Sequence, residues 1–478
     1  MDLLSGFKRV EYQVQLRRAH HLPCTICIGT SRMNTNEIAI AGKTSTRVSL
    51  GVLIGFHIVA CCVSLAYLSR GYGSYHIYYD PALLHVAIAT IASFAILSYL
   101  FLLAPFSFGY FLGFYFYTMI VGYLWLNCFS RFEYNHWLSG VSAVGSTIAF
   151  LVPSLFVTSP VQRRFTIGEA IFQRAPTIIL ALGAITILIA ASYSFKIVSL
   201  DEMYDFRKKI NIPSPLIYCI GVTSNALLPF AFACFVERRN YWRAGLTLVL
   251  LLLFYPITLN KIAFFTPTWL LVMAVLTRLL DCRITVVVSL FVPLVVGVVL
   301  YAVLGMRDTR YLDIVNLRMI ATPSNAMDIY NDFFFNHPLT SFCQVTFIKA
   351  LVPCPYAGQL GEVMQEAYAL GNFNASLFAT EGIASVGPLL APIPVFVCGL
   401  VIALANRFSS GLPPRFIFIS GSIFPQILLN VPLTTTLLSH GAAVLFLLWY
   451  LTPRSLFASQ SESPLQPSSI GGPEGRLA

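Results

Sequence analysis

Three arginines raise the first chemical question. In "VVGVVLYAVLGMRDTRYLDIVNLRMI" an uncharged run ends at Gly305, and Arg307, Arg310 and Arg318 follow closely. If one helix continues past Gly305, spacings of three and eleven residues put all three guanidiniums on one face, stacked over about 16 Å. Asp308 and Asp313 fall off that stripe. Guanidinium forks hold phosphate oxygens bidentately and stay charged, which points to an anionic headgroup bound from outside, headgroup anchoring or salt-bridging within the loop being the other reading. Lys349, in the same connection, and Lys261, at the tip between two apolar runs, extend the cationic set. His337 in "FFFNHPLTSF" is the only histidine between Gly305 and Glu381, and Pro338 biases its backbone away from helix. Histidine is the side chain best matched to general-base work near neutrality. His440 in "TTTLLSHGAA" and Glu381 in "NFNASLFATEGIASVGP" are further candidates, the latter a carboxylate that needs a partner where the chain turns apolar again. Glu362 and Glu366 share a helix face and read as solvated.

The elements that must position these groups are membrane spans. The chain has 478 residues, 57% hydrophobic and 10% charged, with a mean hydropathy of +0.75. Soluble domains carry about 25% charged residues. The composition therefore indicates an all-α polytopic membrane bundle. Twelve apolar runs are span-length or nearly so: Val48–Leu68, Ala82–Ala104, Gly109–Leu126, Leu138–Val157, Thr177–Phe195, Pro215–Val236, Ala244–Leu259, Ile262–Thr277, Ile284–Leu304, Gly382–Ala405, Phe416–Val431 and Thr435–Leu451. The seventh, eighth, eleventh and twelfth are short, so each pair can form a tilted, broken or re-entrant hairpin. The expected layout is a cytoplasmic tail 1–47, a bundle of nine spans 48–304, a large outer loop 305–381, three spans 382–451 and a disordered tail 452–478.

Basic residues fix the orientation. From Arg163 onward, "QRR", "ERRNYWR", "TRLLDCR" and "NRFSSGLPPR" fall on alternate connections, as the positive-inside rule requires with both termini inside. The net charge of +10 is thereby assigned to topology rather than to nucleic acid. The outer cations of 305–381 stand against that rule. The run "DEMYDFRKK" mixes its own acids and bases and reads as a solvated, self-paired face.

The span interiors hold no Asp, Glu, Lys or Arg, which disfavours an ion-driven pump. His57 and His85 lie within spans and are expected to make helix-packing hydrogen bonds. The chemistry then belongs at the outer surface. The 305–381 loop is too rich in aromatic and branched residues to stay disordered, and is expected to form a small cap on or dipping into the membrane surface. Cys343 and Cys354 within it are candidates for a disulfide, given an oxidising side. "CTIC" at Cys24–Cys27 lacks a second pair, and reads as incidental. Asn372 and Asn374 offer amides for sugar hydroxyls, and Asn374-Ala375-Ser376 also matches the glycosylation acceptor pattern. In "GYGSYHIYYDP", Tyr72, Tyr75, Tyr78 and Tyr79 form an interfacial aromatic belt or a sugar-stacking surface. No Asp-x-Asp pattern lies on the outer side, so no metal or cofactor is expected.

From "MRDTRYLDIVNLR" through "FFFNHPLTSFCQV" and "GNFNASLFATEGIASVGP" to the last spans, the chain resembles the O-antigen (oligosaccharide repeat unit) polymerases of the Wzy type. The first two-thirds are similar only in span number. The resemblance implies a GT-C-like glycosyltransferase of the bacterial inner membrane that serves lipopolysaccharide or exopolysaccharide synthesis. Its substrates would be undecaprenyl-diphosphate-linked oligosaccharides, met in the membrane lipid, with a chain-length regulator as a partner. The outer arginines, with Lys261 beside them, would hold the diphosphates. Assigning His337 as base comes from residue type and location, since no shared motif specifies it. An O-antigen ligase and a lipid-linked oligosaccharide flippase or exporter are the alternatives.

Overall fold

The computed structural model of the chain describes residues 35–198, 202, 206, 210–304, 311–345, 348–370, 373 and 377–458. The chain divides into Met1–Arg47 and Val48–Ala478. In the first unit the described residues begin a helix at Thr35, inside the expected tail. The rest of that tail, and 459–478, lie outside the described residues.

Among the described residues every regular element is helical, and ten helices are long and apolar enough to cross a membrane. They are α1 (Thr35–Leu68, apolar from Arg47), α2 (Pro81–Leu103), α3 (Phe108–Asn127), α4 (His136–Phe156), α5 (Glu169–Tyr193), α6 (Ser214–Glu237), α7 (Tyr241–Thr258), α8 (Lys261–Leu279), α9 (Cys282–Leu304) and, after the long connection, α13 (Pro392–Ser409). Several begin on a side-chain cap that satisfies a free amide. Ser107 accepts from Tyr110 N, Asn135 from Leu138 N, Asn240 from Arg243 N and Asn260 from Ile262 N.

α3 is the axis of the bundle. Its residues Phe108 to Leu126 are all buried, surrounded by protein rather than by lipid. Close approach is bought with glycine: a Cβ on Gly109 would stand 2.1 Å from Ser154 O on α4. Asn406 of α13 ties the same place together, accepting from Gly109 N at 2.7 Å and donating to Ser154 O at 2.6 Å. Small residues at crossings let helices associate where lipid supplies no hydrophobic drive.

After α9 one expectation needs correction, and the broken form left open for the last pair of spans is the one realised. The tenth span, expected as one run from Gly382, is two elements: α12 (Leu377–Leu390), bent at Gly387 (φ +77) before Pro388, and then α13. The eleventh and twelfth are four short pieces, α14 (Pro414–Gly421), α15 (Phe424–Leu428), α16 (Leu433–Leu438) and α17 (Ala442–Leu451). Pro425, Pro432 and Gly441 interrupt the ladder, because proline removes an amide donor and αL glycine turns the chain. Side chains repair some of the loss: Ser142 donates to Pro388 O, and Trp269 donates to Ser422 O at 3.0 Å. Backbone at membrane depth needs such internal partners.

Alternate connections gather at two ends. At one, Arg163 donates to the carbonyls of Thr452, Phe408 and Trp449, Arg407 to Ser159 O, and Arg238 to Gln173 O. Arg278 reaches the Tyr241 hydroxyl and Arg415 pairs with Glu237 at 3.7 Å. This is the basic end foreseen from the charge pattern. The other end holds the 305–381 connection.

Candidate functional site

The 305–381 connection is not a lid resting on the bundle. After α9 the chain comes back alongside it. A π-helical stretch, Leu312–Ala321, leads into α10 (Thr322–Asn336), which packs against α3 and α12. Asn316 donates to Leu294 O and Ser64 Oγ, both at 2.9 Å, so this stretch reaches the middle of α9. Most of α10 is buried.

That geometry overturns the reason given for aligning the arginines. Arg307 and Arg310 lie outside the described residues. Arg318 is on the π-helical stretch, where a repeat of 3.6 residues does not hold, so one continuous α-helical face does not carry the register to it. Arg318 is exposed, and so is Lys349. Lys349 lies within the loop closed by a Cys343–Cys354 disulfide, which the structure forms. Lys261 opens α8 beside a small apolar cluster of Tyr255, Leu259, Val198, Phe206 and Ile210.

His337 caps the C-terminus of α10. Its ring stacks on Phe333 with centroids 4.0 Å apart, and its Nδ1–H donates to Phe333 O at 2.8 Å. The bond to the carbonyl fixes the tautomer. Nε2 is left with its lone pair, on an exposed residue. Three residues later Thr340 N donates to Ala384 O of α12 at 2.8 Å, one turn beyond Glu381. The structure thus brings His337 and Glu381 onto the same helix pair, α10 and α12. Glu381 sits near Tyr330 and Cys398, and burial lifts its carboxyl to about 7. Among the described residues no hydrogen bond or ion pair to its carboxylate is formed; Arg307 and Arg310, two of the outer arginines expected to serve it, lie outside them.

His440 belongs elsewhere: Asn225, in a π-helical turn of α6, donates to its Nδ1 at 3.0 Å. Asn372 and Asn374 lie outside the described residues. Glu362 closes a capping box with Gln359 at the start of α11 (Leu360–Tyr368), while Glu366 is exposed. His57 packs as expected, on Thr118 at 2.9 Å; His85 does not, being exposed on α2. The tyrosines are engaged with protein: Tyr79 lies parallel to Trp125, and the Arg131 guanidinium covers Tyr78 at 4.2 Å.

No family model, curated protein or solved structure matches this chain.

Sequence reasoning missed the best-connected polar group of this end. Asp328 of α10 is buried and accepts from the Tyr134 hydroxyl and from Ser130 Oγ (2.8 Å), both in the α3–α4 connection. Its neighbours on the helix are bonded too. Ser324 donates to Met119 O, Asn325 to Tyr75 O, and Asn331 to Tyr123 Oη while accepting from Ser139. The signal was present in "SNAMDIYND": Ser324, Asn325, Asp328 and Asn331 recur at helical spacing within an otherwise apolar face.

Proposed function

We propose that this multi-pass membrane protein is a glycosyltransferase joining undecaprenyl-diphosphate-linked oligosaccharide repeat units into a surface polysaccharide, at the periplasmic face of a bacterial inner membrane. The observation that carries the reading is the α10–α12 pair, joined where Thr340 N donates to Ala384 O, which bears an exposed, tautomer-fixed His337 and the Glu381 carboxyl that burial raises to about 7. It lies at the end opposite the capped arginines, and the Cys343–Cys354 bond in the same connection fits an oxidising compartment.

In this mechanism His337 Nε2 takes the proton from the attacking sugar hydroxyl. The hydroxyl oxygen forms the new bond to the anomeric carbon as that carbon's bond to the diphosphate oxygen breaks. Arg307, Arg310, Arg318 and Lys349 hold the departing diphosphate, whose charge grows as the bond breaks, and fixed cations stabilise that change. Glu381 stands near the acceptor as a second proton carrier. No metal or nucleotide enters these steps.

Reconstitution with a purified lipid-linked repeat unit, in the presence of a chelator, tests this. Longer lipid-linked products are expected, and their loss in Arg307→Ala and Arg310→Ala at unchanged abundance. Arg207→Ala and Lys208→Ala should have little effect. Products that form only when a lipid A–core acceptor is added would replace the polymerase with a ligase. Absence of any transfer from a well-folded sample would sink the reading.

A further inference from the structure

α10 is bolted to its surroundings at four levels, and one of the bolts is a carboxylate. The Tyr134 hydroxyl touches three oxygens: Asp328, Asn127 Oδ1 at 2.9 Å and Tyr123 Oη at 3.4 Å. It has a single proton. When Asp328 is ionised, that proton goes to Asp328; when Asp328 is protonated, its own O–H can donate to Tyr134, whose proton is then free for Asn127. Asn127 is fixed in orientation because its Nδ2 donates to His136 O at 3.1 Å. Its Oδ1 therefore faces His136 Nδ1 at 3.0 Å, while His136 Nε2 faces Phe132 O at 2.9 Å. Both ring nitrogens meet oxygens that only accept. The imidazolium donates to both, and a neutral ring leaves one without a proton.

We propose that Asp328 is a positioning residue whose protonation, relayed through Tyr134 and Asn127 to His136, sets how firmly α10 is seated on the α3–α4 connection. The consequence for chemistry rests on the function proposed above, because α10 carries His337 at its end. The seating itself does not depend on that function.

The direction follows from the surroundings. Facing Asp328 are Tyr123 from α3, Tyr134 from the connection, His136 at the start of α4, Tyr368 from α11 and Asp332 on its own helix, with Asp332 in turn acting on His76. Burial dominates and lifts Asp328 from 3.8 to about 6, against the hydrogen bonds and His136, which pull it down. The seated form then binds the proton more tightly than an opened, hydrated form. Its extra stability is complete below the usual carboxylate range and is lost as pH rises through about 6. The opening equilibrium changes by up to about a hundredfold over that window.

A buried alanine on α10 offers a direct readout. In Ala326→Cys protein, reaction with N-ethylmaleimide is measured from pH 5.5 to 8 relative to the same protein denatured at each pH, which corrects for the pH dependence of the reagent; Ala326 is 2% exposed. The ratio should climb severalfold to tens of fold with pH. Adding Asp328→Asn, which keeps hydrogen-bonding capacity without charge, should make the ratio low and flat. Asp328→Ala should make it high throughout. A flat ratio in the Asp328 parent, or an unchanged climb with Asp328→Asn, overturns the proposal. Failure of polymer synthesis with this labelling pattern intact would count against the function alone.

Discussion

The two ends of the bundle use polar residues in opposite ways. At the basic end the cations are spent on structure: Arg163 alone gathers three main-chain carbonyls from helices that stop there, and Arg454 takes Ser410 O. Helix C-termini expose unpaired carbonyls and partial negative charge, so a guanidinium there is a cap. At the opposite end the cations Arg318 and Lys349 are exposed, while two carboxyls, Asp328 and Glu381, are withdrawn among side chains. A satisfied charge holds a fold in place. An exposed cation or a buried acid with a raised proton affinity is available for binding or proton transfer.

Variants at the two ends should therefore separate activity from stability. The largest effect expected is His337→Ala, with a loss of about 10²–10⁴-fold in chain extension, the range for removing a general base. Its thermal midpoint in detergent should match the parent; a fall in stability that accounts for the lost activity would erase the distinction. Next is the disulfide. Replacing Cys343 and Cys354 by serine removes a short covalent loop worth about 3 kcal/mol, and limited proteolysis should then cut between residues 338 and 359 first. Arg163→Ala should cost about 1–3 kcal/mol through lost charge-assisted bonds, lowering the midpoint without altering the pH profile of whatever activity remains. The smallest effect belongs to Glu381→Gln. Because the Glu381 carboxyl is raised to about 7, its contribution to stability is present at low pH and fades as pH climbs through that value. The amide should hold stability level above pH 7, with little change below pH 5.

The sorting of connections to two ends was legible because charge at span ends is a long-range topological constraint, readable one loop at a time. Nine of the expected spans have the anticipated positions for the same reason, since apolar length is a local property. The 305–381 segment was harder. Its π-helical stretch cannot be read from spacing, because i→i+5 bonding is set by what Asn316 finds on α1 and α9. The regular repeat from which the stripe of arginines was argued does not extend to Arg318 through that stretch, and Arg307 and Arg310 lie outside the described residues. Asp328 is hard to single out from sequence because its partners, Ser130 and Tyr134 in the α3–α4 connection, are remote in the chain. His337 was found from residue type alone, but its free nitrogen depends on one carbonyl at the end of α10.

α3 carries a consequence for how the protein is made. It is the least hydropathic of the ten spans and is enclosed on every side by other helices, its four tyrosines included. Lipid offers such a segment little reason to remain in a bilayer by itself. α2, made before it, packs on α3, but much of its cover comes from α4, α9, α10 and α13, all synthesised afterwards. A nascent chain released just after α3 should slip back into water or be degraded, whereas one extended through α13 should keep it.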